Sequence, residues 1–570
     1  VTAVPLACPL QSRCPGCPLG DRDYAAGLAQ KALGLSAALR PYAELEPELL
    51  AAHAASTTHA YRLRAKLVSH GKALGLFARG SHRVIDVRGC RVLSPELTAA
   101  SEALRRLLPL PLYGADLRET SQGVLITLVA EHERARAELT TQARGLVERG
   151  EALGVAVAVR RPGEVRLLSG EPAVAAGPSE ARHALSPTAP YGYAAHGGFV
   201  QAHAGQASYV YREIADGLRT RLLGTPRPRV LELFAGNGSL ALTLAQAGAR
   251  VTAVEAYAPA ILLAERAARE QGLELAACAA DAARFAEQIR PHDFDAIVVN
   301  PPRRGLDVAL RRALLRAAPR ALAYVSCNPH TLARDAWHLQ TLGLALRCAQ
   351  PLDMIPWSDA IEVLSWFSPQ TPRAPRVLCE DEHCVAIDKL PHDTPSDSLA
   401  RVRRLPGCDG ATALDQWGAG VSGACWFAKP SARGAAEPLE RELTVLCRGN
   451  LRKQGTITRR AAAAAPSPYK KLSEAGRHSL ATVRSLARDE QGVLLDFASI
   501  RHPILGDSTQ GDASSNEFVQ HRHGLDRAFV HVGSSRLRLP SGAILQAQAE
   551  LSPDLARVVE SLSSRSLDSD

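Results

Sequence analysis

Residues Arg229-Val-Leu-Glu232-Leu-Phe234-Ala-Gly236-Asn-Gly238-Ser239 decide the fold. The apolar run reads as a buried strand, and the two glycines form a turn that lets the backbone approach a ligand before a helix opens at Ser239. The next apolar run, Arg250-Val-Thr-Ala-Val254-Glu255, ends in an acid placed to accept ribose hydroxyls. Helical texture follows, then Phe294-Asp-Ala-Ile-Val-Val299 and, after a further helix, Ala321-Leu-Ala-Tyr324-Val-Ser326. Strand and helix alternating in this way predict an α/β fold with a doubly wound parallel sheet.

Around that core the chain has room for more. At 570 residues it should hold two to four domains. Hydrophobic residues make up 46% and charged residues 22%, which excludes a disordered protein. A net charge of +9 suits a polyanionic partner but does not choose one. No basic stretch runs into an apolar segment at the N-terminus, and no apolar run reaches membrane-spanning length, so neither a signal peptide nor a membrane span is expected. The chain is rich in Ala and Arg, poor in Lys, and opens at Val1, which reads as a GC-rich bacterial gene with a non-ATG start. Twelve cysteines are too sparse for a disulfide scaffold, and the cytoplasm is the expected compartment. Asp21 to Ser56 has helical spacing, and from Ala60 to Val92 short alternating runs read as strands, giving an α+β region to about residue 190. The Pro-rich segment Ser368–Pro375 reads as a linker. A further unit beyond it is interrupted by low-complexity Ala461–Pro468 and ends in a Ser- and Asp-containing tail expected to fray. The expected domains are therefore 1–190, 191–367 and 376–570.

Two loops at strand ends carry chemistry. Asn300-Pro-Pro-Arg303-Arg304-Gly305 follows the fourth strand, and Cys327-Asn-Pro follows the fifth. Ligands bind at carboxyl ends of strands in open α/β sheets. The third fingerprint position, Ala241, does not by itself separate a dinucleotide from another adenosine ligand. Glu232 inside the first strand and the Asn-Pro-Pro turn favour S-adenosylmethionine. Cys327 is a candidate thiolate nucleophile, though a lone cysteine also reads as a small buried hydrophobe. Asp281 could bond an adenine amine or cap a helix. Glu362, alone in Asp353-Met-Ile-Pro-Trp-Ser-Asp-Ala-Ile-Glu362, reads as a surface acid or a base. Seven arginines against one acid, Asp307, in residues 301–334 fit either a solvated helix face or phosphate contact.

Taken together, these blocks resemble the RNA 5-methyluridine methyltransferases over residues 8–367. Asn300-Pro-Pro-Arg-Arg-Gly305 looks most like the branch acting on large-subunit ribosomal RNA. Phe199-Val-Gln201-Ala-His203 follows the family's F-x-Q-x-N block with His203 in place of Asn. Tyr61-Arg-Leu-Arg64-Ala-Lys66 and Gly80-Ser-His-Arg-Val-Ile-Asp86 also match. Ile355, Trp357 and Ala360 replace a Phe and two His usual in the last block. The resemblance implies Cys327 as nucleophile and Glu362 as general base. It implies cofactor contacts at Gln201, Phe234, Gly236, Glu255, Asp281 and Asn300. RNA is the implied partner, ribosomal before transfer, with no obligate protein partner evident.

Cys8, Cys14 and Cys17, spaced C-x5-C-x2-C, plus Cys90 could supply four thiolates to a 4Fe-4S cluster. Zinc normally prefers paired knuckles, of which only Cys14/Cys17 is one. The same spacing resembles the iron–sulfur members of the family. Residues 376–548 resemble the large bacterial pseudouridine synthase family, chiefly through Arg501-His-Pro-Ile-Leu-Gly-Asp507. Its catalytic Asp corresponds to Asp415, a possible second site. The His-Arg pair ahead of that Asp is gone, and Leu443 replaces the family's Tyr. A retained fold serving as an RNA-binding appendage is expected, against the alternatives of a bifunctional enzyme and of a non-catalytic RNA-binding factor.

Overall fold

The computed structural model describes residues 5–160, 171–432, 436–459 and 465–564. Residues 461–464 of the low-complexity stretch and the tail from 565 lie outside the described residues. The chain divides into two compact units, one of Val1–Leu39 and Glu44–Gln370, the other of Arg40–Ala43 and Thr371–Asp570.

The first unit contains two large sheets and a two-stranded one, Glu180–His183 with Gly192–Ala195. One has seven strands, running in spatial order Val84–Asp86, Ala73–Phe77, Arg64–His70, Leu112–Thr120, Gly123–Ala130, Gly154–Val159 and Ala173–Ala176. The helix Pro95–Leu107 packs on it with Leu97, Ala100 and Leu104 buried. Its start is fixed by Ser94, whose Oγ accepts from the Leu97 N–H, and by Pro95 in the first turn. The expected α+β texture is therefore present. The predicted helix over Asp21–Ser56 is shorter, spanning Tyr24–Leu39. Pro41 and Pro47 cannot continue a helix, and Glu48–Leu49 instead pair in parallel with Cys348–Ala349.

The other large sheet carries the glycine-rich turn. We label its elements α1 (Ala204–Arg221), β1 (Arg229–Leu233), α2 (Ser239–Gln246), β2 (Arg250–Glu255), α3 (Ala258–Glu270), β3 (Leu275–Ala279), α4 (Ala282–Glu287), β4 (Ala296–Val299), α5 (Val308–Ala317), β5 (Ala321–Ser326), α6 (Pro329–Leu342), β6 (Leu344–Leu352) and β7 (Glu362–Pro369). The spatial order is β6-β7-β5-β4-β1-β2-β3, with Glu48–Leu49 beyond β6. Strands β1 to β5 are parallel, and β7 runs antiparallel to both neighbours. The central strands β4 and β5 are apolar because both their faces are covered: each is buried along its whole length. The order reverses direction of growth between β1 and β4, so their carboxyl ends open a crevice.

The second unit is built on a ten-stranded sheet, mostly antiparallel, around Trp417, Trp426, Phe427, Phe497 and Phe529. Among the described residues no helix is long and apolar enough to cross a membrane.

Candidate active site at the carboxyl ends of the strands

The turn after β1 has the backbone its glycines require. Gly236 and Gly238 have φ of 58° and 73°, and Phe234 shares that left-handed region at 63°. A Cβ on Gly236 would meet open space, whereas one on Gly238 would collide with Ala264 of α3. Glu255 closes β2 and binds the turn: its Oε2 accepts from Gly236 N–H (3.0 Å) and its Oε1 from Tyr257 N–H (2.9 Å). Glu232 is 3% exposed, and its Oε2 has no hydrogen-bond partner. Burial and the charge of Glu255 push its carboxyl up to about 8. A buried acid with a spare oxygen beside an open glycine turn fits a cationic ligand such as S-adenosylmethionine. Asp281 caps α4, accepting from Ala283 and Arg284 N–H at 3.0 and 3.1 Å, and so takes the capping role at the end of β3. Asn300 ends β4, with its N–H on Leu233 O (3.4 Å).

Strand register brings the two reactive groups together. Ser326 of β5 pairs with Val363 of β7, so Cys327, one step on, stands beside Glu362, one step back. Burial and the nearby Glu362 charge push the Cys327 thiol up to about 11, opposed by Arg303. Burial likewise pushes Glu362 up to about 7, again opposed by Arg303. The Arg303 guanidinium therefore acts electrostatically on both groups, favouring their ionised forms. It lies inside the quoted Asn300–Gly305 block, yet sequence reading singled out Asn300 alone. Tyr211 of α1 was also missed. Burial and then the nearby charges of Glu232 and Glu362 raise the pKa of its phenol, which Gln201 opposes. Helical periodicity marks Tyr211 only as a position on α1, because its partners come from other elements.

The loop bearing Arg303 is fastened from behind. Asp335 of α6, fully buried, accepts from Leu306 N–H (2.7 Å), Tyr324 Oη (2.9 Å) and Arg334 (2.8 Å). Arg334 Nη2 also donates to Arg304 O (3.0 Å), and Asn328 Nδ2 donates to Arg303 O (3.0 Å). The reading of the arginine-rich segment as solvated face or phosphate contact is corrected here for two members. Arg311 and Arg334 are 0% and 5% exposed and turn inward onto Asp335, because a buried carboxylate needs cationic partners. Gly305 has φ 75°, and a Cβ there would stand 2.5 Å from Asp335 Oδ2. Gly305→Ala is expected to cost about 1–3 kcal/mol, seen as a lower melting temperature with reduced methyl transfer.

His203, where the family has Asn, caps α1, its Nε2 lying 2.8 Å from Thr57 O and its ring stacking on Tyr61. Cys8, Cys14, Cys17 and Cys90 are all free thiols and line one cavity with Leu6, Leu10 and Leu76. Among the described residues no three His, Cys, Asp or Glu side chains are grouped so as to hold a single metal ion. In the second unit Asp415 is 1% exposed, accepts from Trp426 N–H (2.9 Å), and forms a buried ion pair with Arg441. The expected loss of an arginine partner for Asp415 is thus corrected. The His-Arg pair is gone from the sequence, but an arginine reaches the carboxylate from strand Glu437–Arg448.

A parallel sheet in this order, with a glycine turn after β1 and an acid closing β2, defines the class I S-adenosylmethionine-dependent methyltransferase fold. The family model described as methyltransferase small domain matches residues 214–325. The chain is 31% identical over 384 residues to the 23S rRNA (uracil(1939)-C(5))-methyltransferase RlmD of Pseudomonas aeruginosa, covering 63% of this chain and 79% of that one. It is 43% identical over 141 residues to the 23S rRNA (uracil(747)-C(5))-methyltransferase RlmC of Shewanella baltica, covering 24% and 36%. The crystal structure of the tRNA (uracil-54, C5)-methyltransferase of Pyrococcus abyssi with S-adenosyl-L-homocysteine superposes with TM-score 0.50 at 21% identity, over 62% of this chain and 86% of that one. The chain belongs to the RNA uracil-C5 methyltransferase family.

Proposed function

We propose that this protein methylates carbon 5 of a uridine in RNA, with ribosomal RNA the first candidate substrate, through a covalent adduct on Cys327. The observation that carries the reading is the strand register setting Cys327 beside Glu362 at the mouth of the crevice. Uracil carbon 5 is a poor nucleophile until a thiolate adds to carbon 6 and makes the ring an enolate. Cys327 supplies that thiolate, and the Arg303 charge stabilises it. S-adenosylmethionine, when bound, supplies the methyl group. Gln201, Phe234, Gly236, Glu255, Asp281 and Asn300 are the residues that would hold it in this reading, and the Glu255–Gly236 contact at the open turn supports the choice. Glu362 then removes the carbon 5 proton, and the electron pair re-forms the ring double bond as Cys327 leaves.

Cys8, Cys14, Cys17 and Cys90 hold a 4Fe-4S cluster in this reading. Their convergence on one cavity supports it, together with the C-x5-C-x2-C spacing of the first three. The cluster's role is to fold the N-terminal segment. The second unit is a pseudouridine synthase-like appendage that binds RNA without isomerising it. The support is that Asp415 is 1% exposed, with one oxygen on Trp426 N–H and the other on Arg441, and that the family's His-Arg pair and Tyr, which position a flipped nucleotide, are missing. Nucleoside mass spectrometry of ribosomal and transfer RNA from a host lacking the gene tests both parts. Complementation with wild type or Asp415→Ala is expected to restore 5-methyluridine at one site and to leave pseudouridine unchanged. A pseudouridine restored by wild type but not by Asp415→Ala would make the protein bifunctional. No change in either nucleoside would leave only RNA binding.

A further inference from the structure

Glu362 is the first residue of β7, and its cross-strand partner Leu352 is the last of β6. Residues 353–361 are therefore the loop of a β-hairpin whose closing pair carries the base. How that loop stands fixes where the Glu362 carboxyl points. The loop's own bonds are few: Ser358 N–H and Oγ both donate to Ile355 O, at 3.2 and 2.7 Å, and Ala360 N–H donates to Ser358 Oγ.

Most of its fixation comes from more than 290 residues away along the chain. Lys31, in the helix Tyr24–Leu39, donates from Nζ to Asp353 Oδ1 (2.6 Å) and to Ile355 O (2.9 Å), bridging two points of the loop. Tyr24 Oη donates to Asp353 Oδ2 (2.6 Å), and Tyr61 Oη to Pro356 O (3.1 Å). Trp357 adopts φ 69°, a conformation a bulky residue keeps only when its surroundings impose it. Those surroundings are the Thr58 carbonyl, which accepts from its indole N–H (2.8 Å), and the Leu19 N–H, which donates to its carbonyl (2.9 Å). Leu19 lies two residues beyond Cys17, and Trp357 packs in one apolar cluster with Cys8, Cys17 and Cys90. Lys31 and Asp353 are 5% and 1% exposed. Two charges that deep add little net stability over an apolar pair, but they set direction and distance.

We propose that Lys31 is a positioning residue for proton removal: through Asp353 and Ile355 the N-terminal helix holds the hairpin loop so that the Glu362 carboxylate faces carbon 5 of the uracil adduct. The proposal rests on Glu362 being the base. In the step concerned the C5–H bond breaks, the proton goes to Glu362, the pair forms the C5–C6 double bond, and the Cys327 sulfur leaves. A displaced loop slows this step alone, so methylated RNA stays bonded to the protein.

The test uses full-length protein, ribosomal RNA from a host lacking the gene, and S-adenosylmethionine labelled in the methyl group. Label retained on protein in a denaturing gel reports the adduct, and turnover and KM for RNA are measured alongside. Glu362→Gln is expected to accumulate adduct. Lys31→Met is expected to do the same, with turnover down about a hundredfold and KM nearly unchanged, since a displacement near 1 Å has that effect. Lys31→Arg should recover part of the turnover and lose the adduct. Lys31→Met/Asp353→Leu removes both charges, so no buried charge is left unpaired to unfold the protein, and it should still accumulate adduct while melting like wild type. If Glu362→Gln traps adduct but neither Lys31→Met nor Lys31→Met/Asp353→Leu does, positioning by Lys31 is overturned and the base assignment stands. If Glu362→Gln turns over normally without adduct, the base assignment itself fails and the proposal with it.

Discussion

Replacing Cys327 with alanine is expected to abolish transfer of methyl groups to RNA, a fall of at least about three orders of magnitude, while binding of S-adenosylmethionine persists. The asymmetry follows from where the residue sits. Cys327 follows the last residue of β5 and is only partly buried, whereas the cofactor turn is formed by β1, β2 and the loop between Leu233 and Ser239. Removing one sulfur leaves the Asp335 scaffold and the Glu255–Gly236 contact in place. A cysteine that served only as core would give the opposite pattern: a small loss of stability with activity retained. Equilibrium dialysis of labelled cofactor and a methyl-transfer assay on RNA, run on one preparation, separate the two. Retained transfer by Cys327→Ala would remove the covalent route. Cys327→Ser is expected to be nearly as inactive, because a hydroxyl is far less acidic than a thiol and has no stronger base beside it than a carboxyl near neutrality.

Much of this site is legible along the chain because its geometry is local to strand ends. The runs 229–233, 250–255, 296–299 and 321–326 are rich in apolar residues since most of their length is covered on both faces, and the residues just after them are bound to meet at one edge of the sheet. Hence Gly236, Glu255, Asn300 and Cys327 could be chosen from their positions. Glu362 could not, and it rested on resemblance, because β7 returns antiparallel and brings the amino end of a strand, not its carboxyl end, to that edge. The same limit hides Arg303, Tyr211 and Lys31. Each acts on a group supplied by another element, and no periodicity encodes such a meeting. Composition misled where charge density was read as surface. Arg311 and Arg334 share a segment with Arg303 and Arg304, but the buried Asp335 carboxylate draws the first pair inward. Asp415 gains Arg441 for the same reason, a partner 26 positions away on a strand that sequence reading had examined only for its missing tyrosine.

The rate at which the covalent adduct resolves should rise with pH and reach half its plateau near pH 7. Proton removal needs the Glu362 carboxylate, and burial raises that group from the ordinary carboxylate range to about 7. Below that value the group is protonated and cannot accept, so the rate falls about tenfold per pH unit; above it the base is present and the rate is flat. The Cys327 thiol, near 11, titrates well away from this limb and has already formed its bond before the measured step. Arg303 stabilises the ionised carboxylate, so Arg303→Ala should move the limb to higher pH, slowing resolution at pH 7 while leaving the plateau within reach in alkali. Glu362→Gln should remove the limb altogether and slow resolution by about 10²–10⁴-fold, the usual worth of a positioned general base. Adduct formed at low pH, then jumped to a series of higher values and quenched in denaturant, gives the profile directly. A limb near the ordinary carboxylate value would mean that the site is wetter than its burial implies. A profile unchanged in Glu362→Gln would assign the proton to another base.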